Sequence, residues 1–146
     1  MAVDVSTQIT IARSPEVVAA FAGDPSNAPR WYVNIDSVEW QTPPPLAVGS
    51  RLAFTARFLG RSLSYTYEVV DHVPGRRLVM RTAQGPFPME TSYTWEAAGD
   101  EATTMTLRNQ GEPSGFAALT ASVMAAAMKR ANRKDLARLR AILEAE

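Results

Sequence analysis

Hydrophobic and polar positions alternate along most of the chain. In residues 2–11, Val3, Val5, Thr7, Ile9 and Ile11 fall on one side and Asp4, Ser6, Gln8 and Thr10 on the other, the period of a half-buried strand. Ser14-Pro15-Glu16 then predicts a helix start, with Ser14 as N-cap and Pro15 at the first helical position, where its missing N–H costs nothing. Val17, Val18 and Phe21 give this helix an apolar side, and Gly23-Asp24-Pro25 ends it. A second, short helix is predicted over Ser26–Trp31. A second strand is predicted over residues 34–41, stopped by Pro43-Pro44-Pro45, which cannot join a ladder.

From Gly49 to Asn109 the alternation predicts an antiparallel meander. Leu52, Phe54, Ala56 and Phe58 share one face, as do Leu63, Tyr65, Tyr67 and Val69, then Leu78 and Met80. Phe87, Met89, Thr91, Tyr93 and Trp95 follow, and finally Met105 and Leu107. Gly60-Arg61, Pro74-Gly75, Gly85-Pro86 and Gly99-Asp100 supply the turns. Each strand has one apolar face, so the sheet is wet on the other.

After Gly111-Glu112-Pro113 the pattern becomes helical from Ser114, a candidate N-cap, to about Ala145, in a run rich in Ala, Leu, Met, Lys and Arg. Phe116, Leu119, Val123 and Ala127 form one stripe, while Leu136, Leu139 and Leu143 form another about half a turn away. Met124, Met128, Ala131 and Ile142 lie between them. Three readings are open: the intermediate residues bridge the stripes, the helix bends, or a homodimer covers one stripe. The long helix is the only element large enough to cover the sheet. With about seven strands to shield it, the sheet is expected to curl around that helix.

Composition narrows the function classes. The chain has 146 residues, 46% hydrophobic and 21% charged, with fifteen basic and fifteen acidic side chains and no cysteine. It is expected to form one domain over residues 1–146. Zero net charge argues against nucleic acid as a partner. Without cysteine there are no disulfides, thiolate nucleophiles or Cys-based metal sites. No run approaches the roughly 20 apolar residues of a membrane span, and the first ten residues lack signal-peptide features, so the expected compartment is the cytoplasm. No metal and no cofactor is expected: there is one histidine, His72, no Gly-x-Ser-x-Gly and no glycine-rich phosphate loop.

Several segments, in order, resemble a known superfamily. They are Ile11 to Val18 at the first strand-to-helix junction, Asp24 to Trp31 with its tryptophan, and Val33-Asn34-Ile35 through Val38-Glu39-Trp40. Val48-Gly49-Ser50-Arg51 and Val73-Pro74-Gly75-Arg76-Arg77-Leu78 follow. The chain resembles the START-like (SRPBCC) superfamily, and within it the polyketide cyclase/dehydrase-like group, from end to end. The resemblance implies an α+β helix-grip fold, a curved antiparallel sheet wrapped around a long C-terminal helix. It also implies a small apolar, aromatic, polyketide- or lipid-like molecule held between them. Superfamily members include carriers, receptors and cyclases, so binding, cyclase or dehydratase activity, and a regulatory module with a filled interior all stay open.

The inward positions then become candidate ligand contacts: Phe54, Phe58, Tyr65, Tyr67, Met80, Phe87, Met89, Tyr93, Trp95 and Met105 on the sheet. Phe116, Thr120 and Met124 face them from the helix, and Trp31 is placed at the cavity mouth, with Tyr32 toward solvent. The same rings and thioethers suit either a packed core or an adaptable cavity wall. A buried phenol needs a hydrogen-bond partner, so Tyr65, Tyr67 and Tyr93 are the candidate catalytic groups. Arg81 and Glu90 fall on the outward face, where a cross-strand pair is expected. Lys129, Arg130, Arg133, Lys134, Arg138 and Arg140 late in the last helix complement its dipole, with an anionic partner as the other reading.

Overall fold

The computed structural model describes residues 3–112 and 121–145. Strands β1 (Val3–Ile11), β2 (Ile35–Trp40), β3 (Arg51–Phe58), β4 (Arg61–Val73), β5 (Arg77–Gln84), β6 (Met89–Ala97) and β7 (Thr103–Gly111) form one sheet in the order β1-β7-β6-β5-β4-β3-β2. Every neighbouring pair is antiparallel. Helix α1 (Pro15–Ala22) follows β1, then a 3-10 turn (Pro25–Asn27) and the short α2 (Ala28–Trp31). Helix α3 (Ala121–Glu144) ends the described chain.

Local chemistry accounts for the junctions. The Ser14 hydroxyl accepts from the Val17 N–H and caps α1, with Pro15 at its first turn. The Asp24 carboxylate accepts from Ser26 N–H and starts the 3-10 turn. Over the described residues predicted and observed elements agree, with one refinement: Ser26–Trp31 divides between the 3-10 turn and α2; the predicted helix start at Ser114 lies outside the described residues.

The sheet's inner face and α3 enclose the core. Ile11, Trp31, Leu52, Val69, Leu78, Met105, Leu107, Leu136, Leu139 and Leu143 are all almost fully buried. Arg13 fastens the two ends of this assembly. It lies just past β1, donates through Nη1 to the Leu143 carbonyl at 2.8 Å, and stands beside Ala12, whose N–H donates to Glu144 Oε2.

Over the described residues α3 buries one face, which carries the second stripe. Met124, Asn132, Asp135, Leu136, Leu139 and Leu143 are buried and fall within about a third of a turn at 100° per residue. Val123, assigned to an apolar stripe by pattern, is 49% exposed, and Phe116 and Leu119 lie outside the described residues. Pattern reading misplaced the seam because two of its members, Asn132 and Asp135, are polar.

Candidate functional site

A cavity of about 140 Å³ remains between the sheet and α3. This is below the roughly 300–1,000 Å³ of sites for drug-sized ligands, so the space suits a small guest. The interior is therefore not filled. Phe54, Phe58, Leu63, Met80, Phe87 and Met89 from the sheet and Met124 and Met128 from α3 form its apolar wall. Phe54 stacks on Tyr65 with ring centroids 5.5 Å apart, and Tyr65 tilts against Tyr67 at 5.0 Å. These rings form a continuous aromatic floor across β3 and β4.

The polar lining is organised in two groups. In the first, Tyr67 Oη lies 2.7 Å from Thr91 Oγ1, and Thr91 donates to Asn109 Oδ1 at 2.6 Å. Thr91 has one hydrogen, already given to Asn109, so Tyr67 donates to Thr91. In the second, the hydroxyls of Tyr32 and Tyr93 are 2.6 Å apart. Whichever donates, one hydroxyl hydrogen of that pair is left over. Tyr65 adds a further hydroxyl with no hydrogen-bond partner among the described residues.

Helix α3 contributes Asn132 and Asp135, which project from the same face one turn apart and both line the cavity. The amide nitrogen of Asn132 is buried without a partner among the described residues. Asp135 Oδ1 accepts from the Val33 N–H at 2.9 Å, tying α3 to the segment after α2. Burial lifts the Asp135 carboxyl from its ordinary 3.8 to about 6, against the opposing pull of the Val33 N–H and Arg138. Burial also pushes the phenols of Tyr32, Tyr65 and Tyr93 well up and that of Tyr67 to about 12. The Asp135 charge adds to the rise at Tyr32, Tyr65 and Tyr93, so it stands close to that cluster. At neutral pH the phenols are hydrogen-bond donors that keep their protons, and Asp135 is the group able to exchange one.

Of the positions singled out by sequence, Phe54, Phe58, Tyr65, Tyr67, Met80, Phe87, Met89, Tyr93 and Met124 line the cavity. Trp31, Trp95 and Met105 do not. All three are packed into the core, Trp31 and Met105 fully, and α1 lies over β6 beside Trp95. Trp31 sits against Tyr93 at 5.8 Å rather than at a mouth. Tyr32, expected toward solvent, turns inward to Tyr93. Phe116 and Thr120 lie outside the described residues. Arg81 and Glu90 form the outward cross-strand pair at 2.7 Å. His72 lines a separate surface groove near the β4–β5 turn. Sequence reasoning missed Tyr32, Asn109, Asn132 and Asp135. Only the last two left a signal: polar residues spaced by three on the helix that must cover an apolar sheet.

A curled seven-stranded antiparallel sheet gripping a C-terminal helix around a cavity defines the helix-grip class of START-like proteins. The chain belongs to the family described as polyketide cyclase / dehydrase and lipid transport, whose profile matches residues 2–144. Among solved structures, a START superfamily protein from Mycobacterium smegmatis is similar, with a TM-score of 0.83, 16% identity and 97% of each chain covered. The Zhui aromatase/cyclase from Streptomyces sp. R1128 superposes with a TM-score of 0.78 and 17% identity, covering 99% of this chain and 94% of that one. Ginseng major latex-like protein 151 from Panax ginseng gives 0.74 at 14% identity, with 96% of each covered. No curated protein sequence matches the chain. No described helix is long and apolar enough to cross a membrane, and no cluster of metal-ligating side chains occurs among the described residues.

Proposed function

We propose that the protein binds a small, flat, largely apolar molecule bearing oxygen acceptors in the cavity between the sheet and α3. The observation that carries this reading is the mismatch between wall and polar groups. A Met- and Phe-lined space holds hydrogen-bond donors at Tyr65, at the Tyr32–Tyr93 pair and at Asn132 that the described residues leave unused. Buried donors without acceptors are costly, and a carbonyl or phenolic oxygen on a guest supplies what they lack. The family's description, with its cyclases and lipid carriers, supports the same class of guest.

The test is titration with a dihydroxyanthraquinone, followed by quenching of tryptophan fluorescence. Saturable one-to-one binding is expected. Tyr65→Phe should weaken it by about two- to tenfold, the worth of one hydrogen bond. Ala56→Phe, which fills the cavity from β3, should abolish it. Binding that ignores both changes would remove the cavity as the site.

A second reading, cyclase or dehydratase activity, draws on one observation. Asp135 combines a carboxyl lifted to about 6 with nearby phenols that keep their protons, a base and acids in the same space. The phenols alone, the candidates suggested by sequence, are too weakly acidic to serve as bases near neutrality. On this reading Asp135→Asn retains guest binding and loses turnover. Turnover unchanged in that variant excludes Asp135 as the base.

A further inference from the structure

The protein is electrically neutral as a whole, yet its charges are sorted. On the sheet, Arg51, Arg57, Arg77, Arg81 and Arg108 each pair with a carboxylate. On α3, Lys129, Arg130, Arg133, Lys134, Arg138 and Arg140 are all exposed, and none forms an ion pair among the described residues. At 100° per residue, Arg130, Lys134 and Arg138 share one flank of the helix. That flank borders a groove formed with Val33, Leu59 and Ala127.

The groove is the antechamber of the cavity: Asn34, Phe58 and Ala131 line both. Its rim is apolar where solvent would favour polar side chains. Val33 is 50% exposed and Leu59 47%. Leu59 stands at the tip of the β3–β4 hairpin with φ of 51°, a left-handed conformation in which Gly or Asn would be less strained. An exposed leucine on strained backbone, beside cations that form no ion pair among the described residues, at the entrance to an apolar cavity, is a combination that phosphate contacts alone do not call for.

We propose that this rim docks on an anionic lipid surface. Leu59 and Val33 enter the boundary between headgroups and acyl chains, and Arg130, Lys134 and Arg138 lie against headgroup phosphates. A duplex nucleic acid matches the cations but gives the two apolar side chains nothing to bury against; a bilayer interface matches both. In this orientation the antechamber faces the membrane, and an apolar guest passes between lipid and cavity without crossing bulk water. The docking surface stands independently of the identity of that guest.

The full chain is tested by vesicle flotation, with phosphatidylcholine alone and with phosphatidylcholine mixed with phosphatidylglycerol. Binding is expected only to the mixed vesicles. It should fall about fivefold for each of Arg130→Ala, Lys134→Ala and Arg138→Ala, and again for Leu59→Ser. All four positions are at the surface, and an unchanged urea midpoint verifies that each variant folds. Equal binding to both vesicle types would overturn the proposal, as would undiminished binding by the triple alanine variant. Retention by duplex DNA as tight as by mixed vesicles, and indifferent to Leu59→Ser, would also overturn it, leaving a purely electrostatic patch.

Discussion

Replacing Asp135 by Asn isolates the energetic cost of a carboxyl buried against the cavity. Asp135 is 3% exposed, and burial raises its carboxyl from 3.8 to about 6. Below pH 3.8 the group is protonated in both folded and unfolded chains and costs nothing. Between 3.8 and about 6 the unfolded chain releases the proton while the folded chain keeps it, so stability falls as pH rises. Above about 6 the loss is complete. At about 1.4 kcal/mol per pH unit, the interval corresponds to about 3 kcal/mol. Asn preserves the acceptor for the Val33 N–H and has no charge to desolvate. Asp135→Asn should therefore match the parent near pH 4 and exceed it by up to about 3 kcal/mol at pH 8. Urea unfolding at stepped pH, followed through the fluorescence of Trp31, Trp40 and Trp95, measures the difference directly. Every other ionisable group is common to both proteins and cancels. A difference that stays constant from pH 4 to 8, or a variant less stable at pH 8, would refute the reasoning.

Two further substitutions probe the scaffold. Leu139 is fully buried on α3 and does not line the cavity. Leu139→Ala should cost about 2–5 kcal/mol and lower the melting temperature by about 10 °C, leaving guest affinity per folded molecule unchanged. Arg13→Ala removes a charged donor from the Leu143 carbonyl at the C-terminal end of α3; a loss of about 1–2 kcal/mol is expected. Faster amide exchange should then be confined to the last turn of that helix.

Strands proved legible where one face meets the core and the other meets water, because that contrast writes itself into every second residue. β1 shows this directly: Val3, Val5, Thr7 and Ile11 are buried and their neighbours exposed. β4 departs from it. Thr66 and Tyr67 are both buried although consecutive, and the register against β5 shifts near Thr66 and again before Asp71; alternation alone cannot announce a bulge. The site was harder to read than the sheet. Tyr32 follows a helix of only four residues, so its direction is set by tertiary contact with Tyr93, not by period. Asn132 and Asp135 look like members of a solvated helical face when hydrophobicity decides. They are inside because the cavity beside them makes room for polarity that a packed core would exclude. Trp31, Trp95 and Met105 failed as cavity residues for the opposite reason. An inward-facing side chain is committed to the sheet's interior, but what packs over the sheet decides which part of that interior is solid.

The pairing of β1 with β7 joins Val3 to Gly111 and Ile11 to Thr103, so the sheet's first ladder closes a loop that holds most of the chain. Such non-local pairing places the protein among slow-folding topologies, because the entropy of a long loop is lost before its contacts form. The intervening strands pair with their neighbours in sequence across short loops, whereas β1 and α3 must meet across the chain, where Arg13 fastens them. Until then the aromatic floor lies open on one side. Entry of a guest at that stage, ahead of the closing helix, would make the bound molecule part of the folding reaction as well as its product.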